Sequence, residues 1–365
     1  MQLEFFPSRT MSFYMARMFL LRIVAVLAML VLVLQTLDML GESGKIMAYP
    51  GNGEAELWKY VSLRAPQIIQ RFLPFSVLLA TIITLATLNQ NSEVIAMKAS
   101  GLSAHQVLAP LILASLFVAL ITFTFNERIV ARATATLSLW QEAEYGPIPA
   151  DSGVKTNVWV RDGNAIIQAG RVSGKGDNTR LDNVNIYARA DSGALQTILR
   201  ADGARFDGKG WALANARSFN VLTGKEDQLG SVTIGQGISP DQFTLSKVNP
   251  DGLSFMALRT AIDELDAAGR PTDSLRANLW HKISGPLSSF LMPLLGAVAA
   301  FGLARSGQLF LRAVIGMALG FAYFVADNFA LAMGNLGAYP PLLAAWAPLL
   351  LFFMVGETVL IRTEE

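Results

Sequence analysis

The chain is 365 residues long, 52% hydrophobic and only 16% charged, with a mean hydropathy of +0.41. Soluble domains carry about 25% charged residues, so this composition belongs to a bilayer. A net charge of +1 argues against a nucleic-acid binder, and the absence of cysteine excludes disulfides, thiol chemistry and cysteine-rich zinc sites. The only histidines, His105 and His281, are far apart, which argues against a histidine metal centre.

In chain order, apolar stretches at residues 17–40, 64–88 and 107–125 each approach the ~20 residues a membrane helix needs. The first is too long for a signal-peptide core and lacks a small-x-small cleavage site, so it reads as an anchor. Three more follow at 283–303, 309–333 and 342–361. Arg9, Arg17, Lys98, Arg305, Arg312 and Arg362 flank one side, facing an acidic-leaning 42–59 loop and an uncharged 334–341 loop on the other. The positive-inside rule then puts both termini in the cytoplasm and the long middle segment outside, in the periplasm of a Gram-negative cell.

Between the second and third stretches lies the sharpest local feature, residues 91–101. Ser92 is placed to cap a short helix, Glu93 suits its positive end, and Gly101 closes it. Val94, Ile95, Met97 and Lys98 offer a mostly apolar knob to water, read either as a membrane-surface helix or as a coupling helix docking into a cytoplasmic partner.

From about 156 to 234 the pattern changes to short alternating strands. Val158 and Val160 share a face that ends at the turn Asp162-Gly163-Asn164; runs at 166–169, 181–189, 195–206 and 211–222 follow. This spacing predicts an antiparallel all-β sandwich or jelly roll. Arg161–Asp162 and Arg205–Asp207 read as turn and surface charges, and no strand gathers a catalytic set. An amphipathic helix over 254–268 is expected to bury Leu258, Ile262 and Leu265, with Asp273 or Ser274 capping the next. The whole divides into an N-terminal membrane half (1–135), a β-domain (136–250), a helical linker (251–280) and a C-terminal membrane half (281–365), with six spans in a three-plus-three arrangement.

Charges in hydrocarbon cost at least ~2.5–3.5 kcal/mol and should pair or face a cavity. Asp38, Tyr323 and Asp327 are the intramembrane polar candidates, with Glu357 expected near Arg362. Lys45, Arg64, Arg128, Arg132, Arg276, His281 and Lys282 ring the outer side, as helix anchors or as contacts to lipid phosphates. No Gly-x-x-x-x-Gly-Lys-Ser/Thr occurs, so any ATP that powers transport is bound by another subunit. Three function classes fit: a non-catalytic transporter subunit, an envelope scaffold binding a partner through its β-domain, and a proton-coupled lipid carrier resting on Asp327.

The segments 92–101, 158–164, 250–254, 278–282, 323–328 and 337–341, in this order, resemble the lipopolysaccharide export permease family (LptF/LptG), and the tryptophans at 159 and 280 resemble its LptG branch. The resemblance implies a permease of an ATP-binding-cassette exporter paired with a homologous LptF-like permease. It implies an LptB-like ATPase dimer that holds ATP and Mg, a single-span LptC-like protein, and lipopolysaccharide drawn from the outer leaflet of the inner membrane. No cofactor is implied in this chain. Glu93, Val94, Met97, Lys98 and Gly101 match the coupling segment, and Lys282 a basic cavity rim. Gln35 stands where relatives can carry a lysine toward lipid phosphates; Lys45, Arg128 and Arg132 are candidates to compensate. Ala131 replaces a proline common after the third span, so the exit of that helix is expected to differ.

Overall fold

The computed structural model describes residues 7–147, 155–174, 176–190, 193–208, 210–234, 238, 240, 243, 249–267, 270–301 and 309–364. They fall into two units, one of residues 1–147, 249–259 and 272–365, the other of 148–248 and 260–271.

The first unit is helical. Its elements are α1 (Arg9–Ala48), α2 (Glu54–Gln90), α3 (Glu93–Ala99), α4 (Ala104–Phe125) and α5 (Ala131–Glu142), then the first turn of α6 (Phe255–Ala267), and α7 (Asp273–Phe301), α8 (Leu309–Asn335) and α9 (Pro341–Glu364). Local sequence sets several starts. Ser8 Oγ accepts from Met11 N–H, and the Glu56 carboxylate accepts from Gly53 N–H at 2.8 Å. Ser103 and Gln106 satisfy each other's backbone N–H groups at α4. Among the described residues, five helical stretches are long and apolar enough to cross a membrane: Arg9–Ala48, Glu54–Gln90, Ala104–Glu142, Val314–Asn335 and Pro341–Arg362. The expected fourth span falls on α7, which is not among them; residues 302–308, including Arg305, lie outside the described set.

Small residues let these helices approach closely, as apolar solvent demands. A Cβ on Gly296 of α7 would meet Thr81 Cγ2 of α2 at 2.7 Å, and one on Gly334 of α8 would meet the Ala344 Cβ of α9 at 2.6 Å. Met15, Phe19, Val77, Leu85, Leu108, Leu111, Leu291 and Leu295 form one buried core. By contrast Leu21, Val24, Met29, Leu32, Leu37 and Leu40 leave a flank of α1 exposed. The exit of the third span does not break at Ala131. A π-helical turn, Asn126–Val130, joins α4 to α5, and Ala131 is buried.

The second unit is built on one antiparallel sheet in the sequential order β1 (Lys155–Asp162), β2 (Ala165–Ser173), β3 (Arg180–Arg189), β4 (Leu195–Phe206), β5 (Trp211–Asn220), β6 (Glu226–Ile234). Val158 and Val160, expected to share a face, are both buried. Val158 pairs with Ala169, Ala169 with Val184, and Val184 with Ala201, all buried on one face. The described strands form a simple antiparallel meander, an inserted all-β element. β6, an edge strand whose side chains are largely exposed, has too little alternation to stand out in sequence. Trp211 anchors the core, its Nε1 donating to the Ile238 carbonyl at 3.0 Å and its ring meeting Phe243 edge-on. On α6, Leu258, Ile262 and Leu265 are buried, as the amphipathic pattern requires.

Candidate functional site

The end of the helical unit formed by the last turns of α1 and the first of α2 is held by polar and aromatic contacts. Asp38 Oδ1 accepts from Arg64 Nη2 at 3.0 Å, and its Oδ2 accepts from Arg64 Nε at 3.1 Å and from the Tyr60 hydroxyl at 2.6 Å. Three charge-assisted bonds to one carboxylate fix the α1–α2 angle. One α1 turn further on, Glu42 accepts from Lys45 at 2.8 Å and from the Tyr145 hydroxyl at 2.6 Å. Burial, then the bond to Glu42, pushes the Tyr145 hydroxyl up to about 12, so it remains a donor at neutral pH. Tyr145 also meets Trp140 edge-on at 5.2 Å, and Lys59 lies over the Trp140 ring at 4.3 Å.

Just inside this end lies a cavity of about 760 Å³. Asp38, Arg64, Gln67 and Arg71 line it from α1 and α2; Asn126 and Thr134 from the π-turn and α5; Asn278, His281 and Lys282 from α7; Tyr323 and Asp327 from α8. Most helices here are apolar, so this concentration of cations, amides and acids marks the cavity as a candidate ligand site. Asp327 is held by His281, whose Nε2 lies 3.0 Å from Asp327 Oδ2. Asp327 Oδ1 and Asn126 Oδ1 are buried without a hydrogen-bond partner among the described residues. Burial holds the Lys282 ammonium below its usual range, with Asp251 and Glu127 opposing the shift, and Glu127 Oε1 in turn accepts from the Phe255 N–H.

Of the sequence candidates, the cavity thus gathers Asp38, Arg64, His281, Lys282, Tyr323 and Asp327. Gln35 is buried on α1 beside it but not in its lining, and both its amide atoms lack a partner among the described residues. Lys45 lies on the last turn of α1, while Arg128 and Arg132 are exposed on the π-turn and α5 and do not line the cavity. Sequence pattern does not single out Arg71 and Asn126, which also line the cavity. Nothing local signals that positions 26 or 46 residues apart bring Asp38 to Arg64 or His281 to Asp327.

At the opposite end, where α2 turns into α4, sits α3. Gly101 closes it at φ +91°, with Gly101 N–H donating to Lys98 O at 3.0 Å and Leu102 N–H to Met97 O at 3.2 Å, a Schellman pair. Ser92 does not cap through its side chain; it takes a left-handed φ of 58°, and its hydroxyl makes no cap bond. The knob is also rotated from expectation. Val94 and Met97 are buried in the helical core, so the accessible face is Ile95, Ala96 and Lys98, with Glu93 half-buried at its edge. Asn91 Nδ2 donates to Glu93 Oε1 at 3.2 Å. A groove of about 480 Å³ runs beside it, lined by Pro7, Ser8, Met11, Glu93, Met97 and Gln106. Close by, His105 Nε2 of α4 lies 3.2 Å from Glu357 Oε2 of α9. Among the described residues no group of three acids or histidines could hold a metal ion.

Residues 13–362 match the family model described as Lipopolysaccharide export system permease LptF/LptG. Lipopolysaccharide export system permease protein LptG of Escherichia coli (strain K12) is 29% identical over 310 residues, covering 83% of this chain and 84% of that protein. The protein of the same name from Haemophilus influenzae is 25% identical over 327 residues, 86% of this chain and 89% of its own.

Proposed function

Because the chain belongs to the lipopolysaccharide export permease family LptF/LptG, and within it is most like LptG, we propose that it is the permease subunit of an ATP-driven lipopolysaccharide exporter of the Gram-negative inner membrane. In this reading it spans the membrane six times with both termini in the cytoplasm and the β unit in the periplasm. It pairs with a second, LptF-like permease along the exposed apolar flank of α1. A dimeric LptB-like ATPase supplies ATP and Mg, and a single-span LptC-like protein joins the complex. The chain itself carries out no chemistry.

The observation that carries the reading is the polar cavity set into an otherwise apolar helical unit, at the end away from α3. Lys282, Arg64 and Arg71 suit the phosphates of a glycolipid, and the surrounding apolar helices suit its acyl chains. Gln35, Lys45, Arg128 and Arg132 lie outside the cavity lining and would meet the substrate only as it enters or leaves. α3 would transmit closure of the ATPases through Glu93, Ile95 and Lys98 on its accessible side. Val94 and Met97 would tie that motion to the core, and Gly101 would hold the turn that returns the chain to α4. Squeezing the cavity between α1 and α8 then drives the glycolipid outward.

Tagged chain purified gently from membranes should bring down an ATPase and a second permease, with lipopolysaccharide-stimulated ATP hydrolysis. Glu93→Ala should weaken ATPase recovery or its coupling. A chain that purifies alone with no nucleotide hydrolysis would reject the transporter-subunit reading.

A further inference from the structure

The sheet of the second unit has a face opposite its core, and that face is not a random polar surface. The register sets Trp159 opposite Gln168, Gln168 opposite Asn185, Asn185 opposite Arg200, and Arg200 opposite Arg217. Their strand neighbours Val158, Ile167, Val184, Ala201 and Ala216 are all buried in the core, so this row points the other way. Two residues along β3, on the same face, Tyr187 stacks on Trp159 across β2, with ring centroids 5.9 Å apart and planes 13° from parallel. Trp159 nevertheless remains 49% exposed. Gln168 Oε1 accepts from Asn185 Nδ2 at 3.2 Å and from the Tyr187 hydroxyl at 3.5 Å, which sets the amides beside the rings.

Arg200 and Arg217 are both exposed and directly opposed across the β4–β5 pair. Like charges so placed are unfavourable. Neither makes an ion pair among the described residues, and Asp202, two residues along the same face of β4, is engaged by Asn215 Nδ2 at 2.9 Å. An aromatic plane, two amides and two unneutralised guanidinium forks thus lie in one band across five strands.

We propose that this band binds a phosphorylated oligosaccharide, the sugar portion of the exported glycolipid; the inference rests on the transport reading for the source of that sugar. The C–H faces of pyranose rings pack on exposed aromatic planes, and Asn185, steadied by Gln168, presents its amide oxygen and second amide hydrogen to hydroxyls. Phosphates match the bidentate geometry of Arg200 and Arg217 and relieve their mutual repulsion. An apolar protein surface laid on the same band would strip water from both guanidiniums without pairing them.

The test uses the full chain in nanodiscs and equilibrium dialysis with radiolabelled, deacylated core oligosaccharide, in its native phosphorylated form and after phosphatase treatment. The wild type should bind the phosphorylated form saturably. Arg217→Gln should weaken that binding about tenfold, the loss expected for one charge-assisted pair, and leave the dephosphorylated form unaffected. Trp159→Ala should weaken both forms, and Arg217→Lys should recover part of the loss. Inorganic phosphate alone should compete poorly. These side chains lie outside the core, and far-ultraviolet circular dichroism should confirm that each variant is folded. Absence of saturable binding by the wild type, equal affinity in all variants, or full competition by free phosphate would overturn the proposal. Export measured in parallel separates the two readings: export without oligosaccharide binding removes the sugar site alone, whereas binding without export removes the transport reading on which its source depends.

Discussion

The two ends of the helical unit are built on different principles. At the end that opens into the cavity, helices are locked by ionic and aromatic contacts: Asp38 to Arg64 and Tyr60, Glu42 to Tyr145 and Lys45, Asp327 to His281. At the other end α3 is a seven-residue helix, attached mainly by two buried side chains, Val94 and Met97, and by one glycine turn. A short helix has little stability of its own, so its position is set by tertiary packing. One end thus holds its geometry by many directional bonds, while the other follows whatever moves its few apolar contacts.

This contrast breaks first at Met97. Met97→Ala removes a side chain only 3% exposed and should cost about 2–3 kcal/mol locally. ATPase coupling should fall sharply while the Asp38–Arg64 end, read by limited proteolysis, stays closed. Next comes Asp38→Ala, which strands Arg64 and the Tyr60 hydroxyl. The Arg64 and Asp38 side chains are 33% and 22% exposed, so the loss should be about 2 kcal/mol, below that of a fully buried pair, and should appear as a lowered melting temperature in detergent. Gly101→Val forces a β-branched residue to φ +91° and should cost about 1–2 kcal/mol, loosening α3 without shifting the melting of the other end. Lys45→Ala removes a largely exposed partner of Glu42 and should change stability by less than about 0.5 kcal/mol. A large effect of Lys45→Ala on export but not on melting would mark it as a substrate contact instead.

Periodicity alone makes several elements legible: the long apolar helices, the alternation of β1 to β5, the buried stripe of α6 and the role of Gly101. Each depends on local chemistry. The cavity is legible only in fragments. Asp38, Tyr323, Asp327 and Lys282 stand out as costly polar groups, but their partners depend on which helices are neighbours. The same limit rotates the knob: seven residues are too few for their pattern to show that Val94 and Met97 face inward. Ser92 fails as a side-chain cap because the α2–α3 turn puts it in a left-handed conformation. The π-turn at 126–130 leaves no compositional trace.

That turn makes the stretch from Ala104 to Glu142 sensitive to register in a way ordinary spans are not. Each helical residue advances the chain by about 100°, and a π-turn absorbs one extra residue while the flanking helices keep their phase. Loss of one codon between Asn126 and Val130 would convert it to regular helix. The alternative is to swing Ala131, Ala133, Leu137 and Trp140 off their buried side by about a quarter-turn. Insertions and deletions, far more than substitutions, are therefore what this junction should record across the history of the lineage.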